Sequence, residues 1–213
     1  MPRYYPVNLV LENKKCVVIG AGRVAQRKVA RLLECGARVT VIAPDVTAGL
    51  KALSEKKRIA YKKRQAGLKD LKGAYIVIVA TTDRRLNSQI SAYCHKNNIL
   101  VNVVDYPKEC SFIVPSIVRR GNLTISISTD GISCALARNL RMKLEREFGE
   151  EYASYLEIMK TIRPRVQSQV KNPQARKMFF QKAIRSDVMK LLKRGKREQA
   201  KKALERILEN AKS

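Results

Sequence analysis

Residues 14–28, "KKCVVIGAGRVAQRK", decide how the rest of the chain reads. The apolar run of residues 15–20, "KCVVIG", has the length and composition of a buried strand. It ends in Gly20-Ala21-Gly22-Arg23-Val24-Ala25, which fits G-x-G-x-x-A. In that pattern the first glycine permits a tight strand-to-helix turn. The second leaves room for a pyrophosphate, and the small third residue lets the helix pack on the sheet. A helix is expected over 24–35, with Val24, Val29, Leu32 and Leu33 on one side and Gly36 as its stop. The free N–H groups at its start would face the phosphates of a dinucleotide. The alternative is a turn kept glycine-rich for packing alone.

Working outward, "ARVTVIAP" reads as a second strand ended by Pro44, followed by a polar helix near 47–56 and a strand over 58–64. "AYIVIVAT" is wholly apolar, as strands covered on both faces are. A helix over 84–96 leads to the strand "ILVNVVD", residues 99–105. Strands alternating with helices specify an α/β fold, a Rossmann-like doubly wound parallel sheet.

Beyond residue 110 the rhythm changes. "CSFIVPSIVRRG" and "NLTISIST" are strand-like and separated only by Gly121-Asn122, so they must be antiparallel. A helix is expected over 130–149, with Ile132, Leu136, Leu140, Leu144 and Phe148 recurring every four residues. From 150 on the pattern is helical, with breaks near Pro164 and Pro173, and a narrow stripe of Ala200, Ala203, Leu204, Ile207 and Leu208 near the end. The expected organisation is a nucleotide-binding domain over 1–110, a small α+β region over 111–149 and a C-terminal helical domain over 150–213.

Composition narrows the class. At 45% apolar residues the chain can bury a core. No apolar run is long enough to cross a bilayer, and no secretory signal is evident, so a cytoplasmic protein is expected. Five cysteines without a C-x-x-C pair read as reduced thiols, and a lone His95 argues against a zinc site. The net charge of +26 is the outlier. It is spread along the chain, with 17 Lys+Arg against 7 Asp+Glu from residue 150 on and 27 against 11 before it. Such a field draws anionic partners.

Ligands of doubly wound sheets bind beyond the carboxyl ends of the strands. Asp45, just after Pro44, could accept ribose hydroxyls and would favour NAD over its phosphorylated form, or it could cap the helix that follows. Thr81, Thr82 and Asp83 emerge after "YIVIVA", and Asp105 after "LVNVV". A carboxylate beside a nicotinamide could take a proton as the substrate is oxidised. Asp105 could equally start a turn before Tyr106-Pro107.

These motifs, with "PVNLVLENKKCVVIGAGRVAQRK", "LLECGARVTVIAP", "IVATTDRRLN", "NVVDYPKECSFIVPSIVRRGNLTISIST" and "GISCALARNLRMKLE", resemble the precorrin-2 dehydrogenase family, the N-terminal module of siroheme synthase. The resemblance covers most of residues 6–146. It implies oxidation of precorrin-2 to sirohydrochlorin with NAD as cofactor, on the route to siroheme. It also implies a homodimer whose strands after about residue 111 interlock. Relatives meet NAD at positions matching Arg23, Val24, Pro44 and Asp45, and their key aspartate matches Asp105; the motif itself adds Gly20 and Gly22, and the strand end Thr81 and Asp83, as cofactor-binding candidates. An acidic tetrapyrrole suits the basic surface. Arg119, Arg120, Arg138 and Arg141 are the candidate grips for its carboxylates, with Ser128 and Thr129 at the start of the following helix. The chain departs from the family at Thr129-Asp130-Gly131-Ile132-Ser133-Cys134, where relatives read Ser-Gly-Gly-Thr-Ser-Pro, and Asp130 would repel an anion.

No metal ligands are assigned. Some relatives insert iron into the product, a question the residues leave open. No methyltransferase module is expected within 213 residues. The competing class is a nucleotide-sensing regulator binding nucleic acid through "RPRVQSQVKNPQARK" and "KRGKREQAKK". No recognised nucleic-acid motif accompanies them.

Overall fold

In a computed structural model the chain forms two compact units, one through Val114 and one from Pro115 onward. The structure describes residues 3–212.

The first unit is a parallel sheet of five strands: β1 (Lys15–Ile19), β2 (Arg38–Ala43), β3 (Ala60–Lys63), β4 (Ile76–Val79) and β5 (Leu100–Val103), in the order β3-β2-β1-β4-β5. Helices α1 (Arg23–Glu34), α2 (Ala48–Glu55) and α3 (Arg84–Lys96) make the crossovers, giving the doubly wound, Rossmann-like fold the sequence implied. The strands carry apolar residues at both parities because both faces are covered. Cys16, Val18, Val39, Val41, Ile76 and Ile78 pack in one core with Ala25, Val29, Leu32 and Leu50 of α1 and α2. Val17, Ile19, Ile42, Val77, Val79, Val101 and Val103 turn to the other, with Ile90 and Cys94 of α3. Each fully buried Val, Ile or Leu contributes roughly 1.5–3 kcal/mol. The registers Ile19↔Ile42, Ile19↔Val79 and Val79↔Val103 bring the carboxyl ends of β1, β2, β4 and β5 to one edge.

The first unit runs past residue 110 for a local reason. The amide of Ser111 donates to the Val101 carbonyl at 2.9 Å, and Asn102 Nδ2 donates to the Phe112 carbonyl at 3.1 Å. These bonds hold 111–112 against β5, so the segment expected to be strand from 110 pairs only from Ser116.

The second unit opens with the antiparallel pair β6 (Ser116–Arg120) and β7 (Leu123–Ile127), joined at Gly121-Asn122 as expected. Gly121 has φ +53°, the left-handed conformation so short a loop needs. Five helices follow: α4 (Cys134–Glu147), α5 (Glu150–Gln169), α6 (Pro173–Arg185), α7 (Val188–Lys193) and α8 (Arg197–Lys212). Tyr155, Ile158, Ile162, Val166, Phe179, Ala183, Val188, Leu192, Leu204 and Leu208 form the common core of α5 to α8. The stripe on α8 docks as its spacing implied, with Ala200, Leu204 and Leu208 fully buried.

Two expectations fail against the structure. The helix expected from 130 begins at Cys134, because Asp130 and Gly131 both have positive φ and Ser133 caps the first turn through Leu136 N at 3.2 Å. Ile132 therefore lies outside the helix and is 73% exposed. Nor does Pro164 break the chain, since α5 runs through it. Pro164 sits on the exposed side of α5, as does Lys160, whose carbonyl loses its usual partner and can turn to water. Ile162 and Val166 remain buried on the opposite side.

Candidate functional site

The carboxyl edge of the first unit gathers four segments. The glycine turn leaves β1, Pro44-Asp45 leave β2, Thr81–Asp83 leave β4 and Asp105 leaves β5. The sheet order reverses between β1 and β4, so Gly20 and Ala80 flank the switch point where such folds bind ligands.

Gly20 and Gly22 have different jobs. Gly20 has φ +96°, and a Cβ there would lie 2.3 Å from the Ala80 carbonyl oxygen. Only glycine allows β1 and β4 to exit this close together. Gly22 has ordinary backbone angles, and a Cβ there would meet nothing within 4 Å. The space above it is open. Gly22 is also the N-cap of α1, without a side-chain cap and with no acidic residue in the first turn. An open cradle against uncapped N–H groups fits a pyrophosphate. Arg23 is exposed and Val24 half-buried at the start of the same helix.

The segment after β2 is fastened to this turn. Thr47, not Asp45, caps α2, accepting from Leu50 N at 3.4 Å. The capping role that Asp45 might have taken is filled two residues later, and Asp45 is exposed at the edge. Thr47 N donates to the Ala21 carbonyl at 3.2 Å, and its hydroxyl donates to Gln26 Oε1 at 2.7 Å. The Tyr61 hydroxyl donates to the carbonyls of Ala43 at 3.0 Å and Pro44 at 3.3 Å. Thr47, Gln26 and Tyr61 thus fix Asp45 relative to Gly20–Gly22. None was singled out in the sequence, although a Thr just ahead of a helical run is itself a capping signal.

After β4, Thr81 donates its hydroxyl to Asn87 Oδ1 at 2.8 Å, and Asn87 Nδ2 donates to the Thr81 carbonyl at 3.0 Å. Asn87 is buried, a positioning residue the sequence reading missed. Asp83 caps α3 through Leu86 N at 3.0 Å.

Asp105 is exposed and has φ +66°, a left-handed conformation that Asp tolerates better than most residues. Behind it lies Cys110. Its sulfur accepts from Val103 N at 3.1 Å and lies 3.3 Å from the Tyr106 carbonyl. Burial pushes the Cys110 thiol up, so it serves as a neutral hydrogen-bonding group.

The remaining candidates lie in the second unit. Arg120 is committed to the scaffold, donating to the Glu145 carbonyl at 2.9 Å with Glu150 Oε1 at 3.4 Å. Arg141 pairs with Glu145 one turn along α4. Arg119 and Arg138 are exposed. Ser128 Oγ accepts from Asp130 N at 3.1 Å, and Thr129 Oγ1 accepts from Ser133 N at 3.1 Å, so both hydroxyls shape the loop before α4. His95 is exposed in the last turn of α3. Among the described residues no helix is long and apolar enough to cross a membrane.

A doubly wound sheet with a glycine turn at its switch point defines a dinucleotide-binding protein, and comparisons with known proteins agree. Residues 7–116 match the family model described as "Putative NAD(P)-binding", 120–147 "Sirohaem biosynthesis protein central" and 151–208 "Sirohaem synthase dimerisation region". The chain belongs to this NAD(P)-binding family, in the form that carries the two sirohaem-synthase regions behind it. It is 35% identical over 207 residues to a siroheme synthase of Nitrosococcus oceani, covering 97% of this chain and 44% of that protein. It is 38% identical over 211 residues to one of Nitrosospira multiformis, covering 97% and 45%. The chain thus spans less than half the length of these relatives. The solved structure of SirC, a precorrin-2 dehydrogenase, superposes with a TM-score of 0.78 at 26% identity, covering 95% of this chain and 100% of that one. The dimerisation match falls on the basic C-terminal helices and gives the nucleic-acid alternative no support.

Proposed function

We propose that the chain oxidises precorrin-2 to sirohydrochlorin, reducing NAD to NADH and releasing a proton, and that it does so as a homodimer in the cytoplasm. The observation that carries this reading is the shared edge of the first unit. There an open glycine cradle and the acidic turn at Asp105 leave strands separated only by β4.

The N–H groups at the start of α1, at Arg23 and Val24, would hold the pyrophosphate, with Gly22 leaving it room. Asp45, beside Pro44, would accept the ribose hydroxyls and disfavour a phosphate there. Thr81 and Asp83 line the exit of β4 nearest the reacting end. Bound there, the nicotinamide supplies an acceptor for the hydride leaving the macrocycle. The Asp105 carboxylate takes the proton lost in the same oxidation. Arg119, Arg138 and Arg141 are the substrate grips this reading keeps, with Ser128 and Thr129 shaping the adjoining loop. Arg120 acts through the scaffold it braces.

The homodimer is supported by the dimerisation-region match and by the exposure of Leu136 and Leu140 on α4. Five free cysteines suit a reducing compartment. The test is direct. Purified protein given precorrin-2 and NAD raises the NADH absorbance; an unchanged absorbance with intact substrate refutes the reading.

A further inference from the structure

A non-glycine residue in the left-handed region persists only where its surroundings over-determine it. Asp105 is such a residue, and two independent straps hold the turn it begins. In the first, the Cys110 sulfur ties the turn back to β5 through Val103 N. The second strap comes from the neighbouring strand's exit. Arg84, the first residue of α3, lays its guanidinium over the Tyr106 ring with Cζ 3.2 Å from the centroid. Its Nη2 also lies 2.6 Å from Glu109 Oε1. Ser88 Oγ donates to the same carboxylate oxygen at 3.2 Å, and Ser91 Oγ donates to the Glu109 carbonyl at 2.7 Å.

We propose that Arg84 is a positioning residue that sets the aim of the Asp105 carboxylate, by clamping Tyr106 and Glu109 onto α3. The inference rests on the dehydrogenase reading, in which Asp105 takes the proton. Arg84 directly follows Asp83, so one side chain joins the Thr81–Asp83 exit to the Asp105 turn. The two segments proposed to meet cofactor and substrate keep one spacing. Lysine replaces it only in part. A planar guanidinium stacks on a ring and pairs with a carboxylate at once, whereas an ammonium is a point charge that serves one or the other. Glu109 adds to the demand: its Oε2 is buried with no hydrogen-bond partner among the described residues, so the charge on Glu109 leans on Arg84.

The test uses the full chain, with precorrin-2 and NAD as substrates and amide hydrogen exchange at Tyr106, Glu109 and Cys110 as a second readout. Arg84→Met lowers kcat roughly tenfold to a hundredfold, the range for a misaimed catalytic group. KM for NAD moves by less than about threefold, because the glycine turn is untouched. Exchange at the three amides quickens. Arg84→Lys falls between wild type and Arg84→Met. Tyr106→Phe, which keeps the stacking ring, stays near wild type, and Tyr106→Ala matches Arg84→Met. Should Arg84→Met fold poorly with Glu109 unpaired, Arg84→Met/Glu109→Gln removes that charge and gives the same loss of kcat. Wild-type kcat in the double variant, or unchanged exchange in both, overturns the clamp. If wild type itself forms no NADH the dehydrogenase reading fails, and the exchange data alone still uphold or overturn the clamp.

Discussion

The Cβ that Gly20 lacks would lie 2.3 Å from the carbonyl oxygen of Ala80, so these two residues set how closely β1 and β4 can part at the switch point. Any side chain at 20 must push backbone, not a flexible side chain, and must hold φ +96° while doing so. Gly20→Ala is expected to destabilise the protein by more than about 1 kcal/mol. Thermal melting reads the loss, and NAD binding weakens with it because the cradle is displaced.

Gly22→Val separates binding from folding. Its backbone is unstrained and the space above it is open, so the stability cost is expected to stay within about 1 kcal/mol. NAD affinity should nonetheless drop at least tenfold, because the new side chain fills the space for the pyrophosphate. Calorimetric titration with NAD beside a melting curve distinguishes the two glycines. Equal losses of stability in both variants would contradict this division of labour between them.

Asp105→Asn keeps a residue tolerant of the left-handed backbone while removing the proposed proton acceptor. The melting temperature is expected to hold and kcat to fall by roughly 10²–10⁴-fold, the usual span for a general base. Stopped-flow NADH formation checks this. A wild-type rate would remove Asp105 from the reaction.

Asp70 gives the first unit an acid-sensitive fastening. Its side chain is only 6% exposed, pairs with Arg64 at 2.6 Å and accepts from Gly67 N at 3.0 Å. The Arg64 guanidinium, helped by that amide and by Lys62, holds its carboxyl well below the usual carboxylate range. An acid whose folded-state pKa is depressed stabilises above its unfolded value, near 4, and loses that contribution as pH falls below it. Wild type is therefore expected to lose stability steadily below about pH 4, and Asp70→Asn to lose less over the same range. Denaturant titrations at stepped pH measure the difference.

Cys16 and Cys94 are buried, and burial pushes each thiol up to about 11. Neither is expected to react with iodoacetamide at pH 8 until the protein is unfolded, while the exposed Cys134 labels in the native state. Peptide mass spectrometry before and after denaturation decides it.

The placement of the candidate residues on one edge of the sheet was legible in the sequence. Gly20, Gly22 and Asp105 announced themselves because each follows an apolar run whose end is unambiguous, and strand ends in this fold share an edge. What joins the edge segments was not legible. Thr47 and Ala21, Tyr61 and Pro44, or Arg84 and Tyr106 meet only once the sheet order is set, and nothing local to any of them foretells the partner. The left-handed pair at Asp130-Gly131 was missed for another reason: the four-residue spacing of Ile132 and Leu136 imitated a helix that Ser133 in fact starts. At Pro164 the rule that proline ends a helix gave way to burial of Ile162 and Val166 on the other face.

A ribbon of two strands is marginal on its own in water. In the second unit β6 and β7 pair only with each other, and although α4 and α5 pack against them, Val118 is their only fully buried residue. If a second copy completes it, folding of this unit is tied to protein concentration by mass action. Dilution then acts as a mild denaturant: the melting temperature should climb with the logarithm of protein concentration, and keep climbing after nearly every molecule has found its mate, because unfolding sets two chains free.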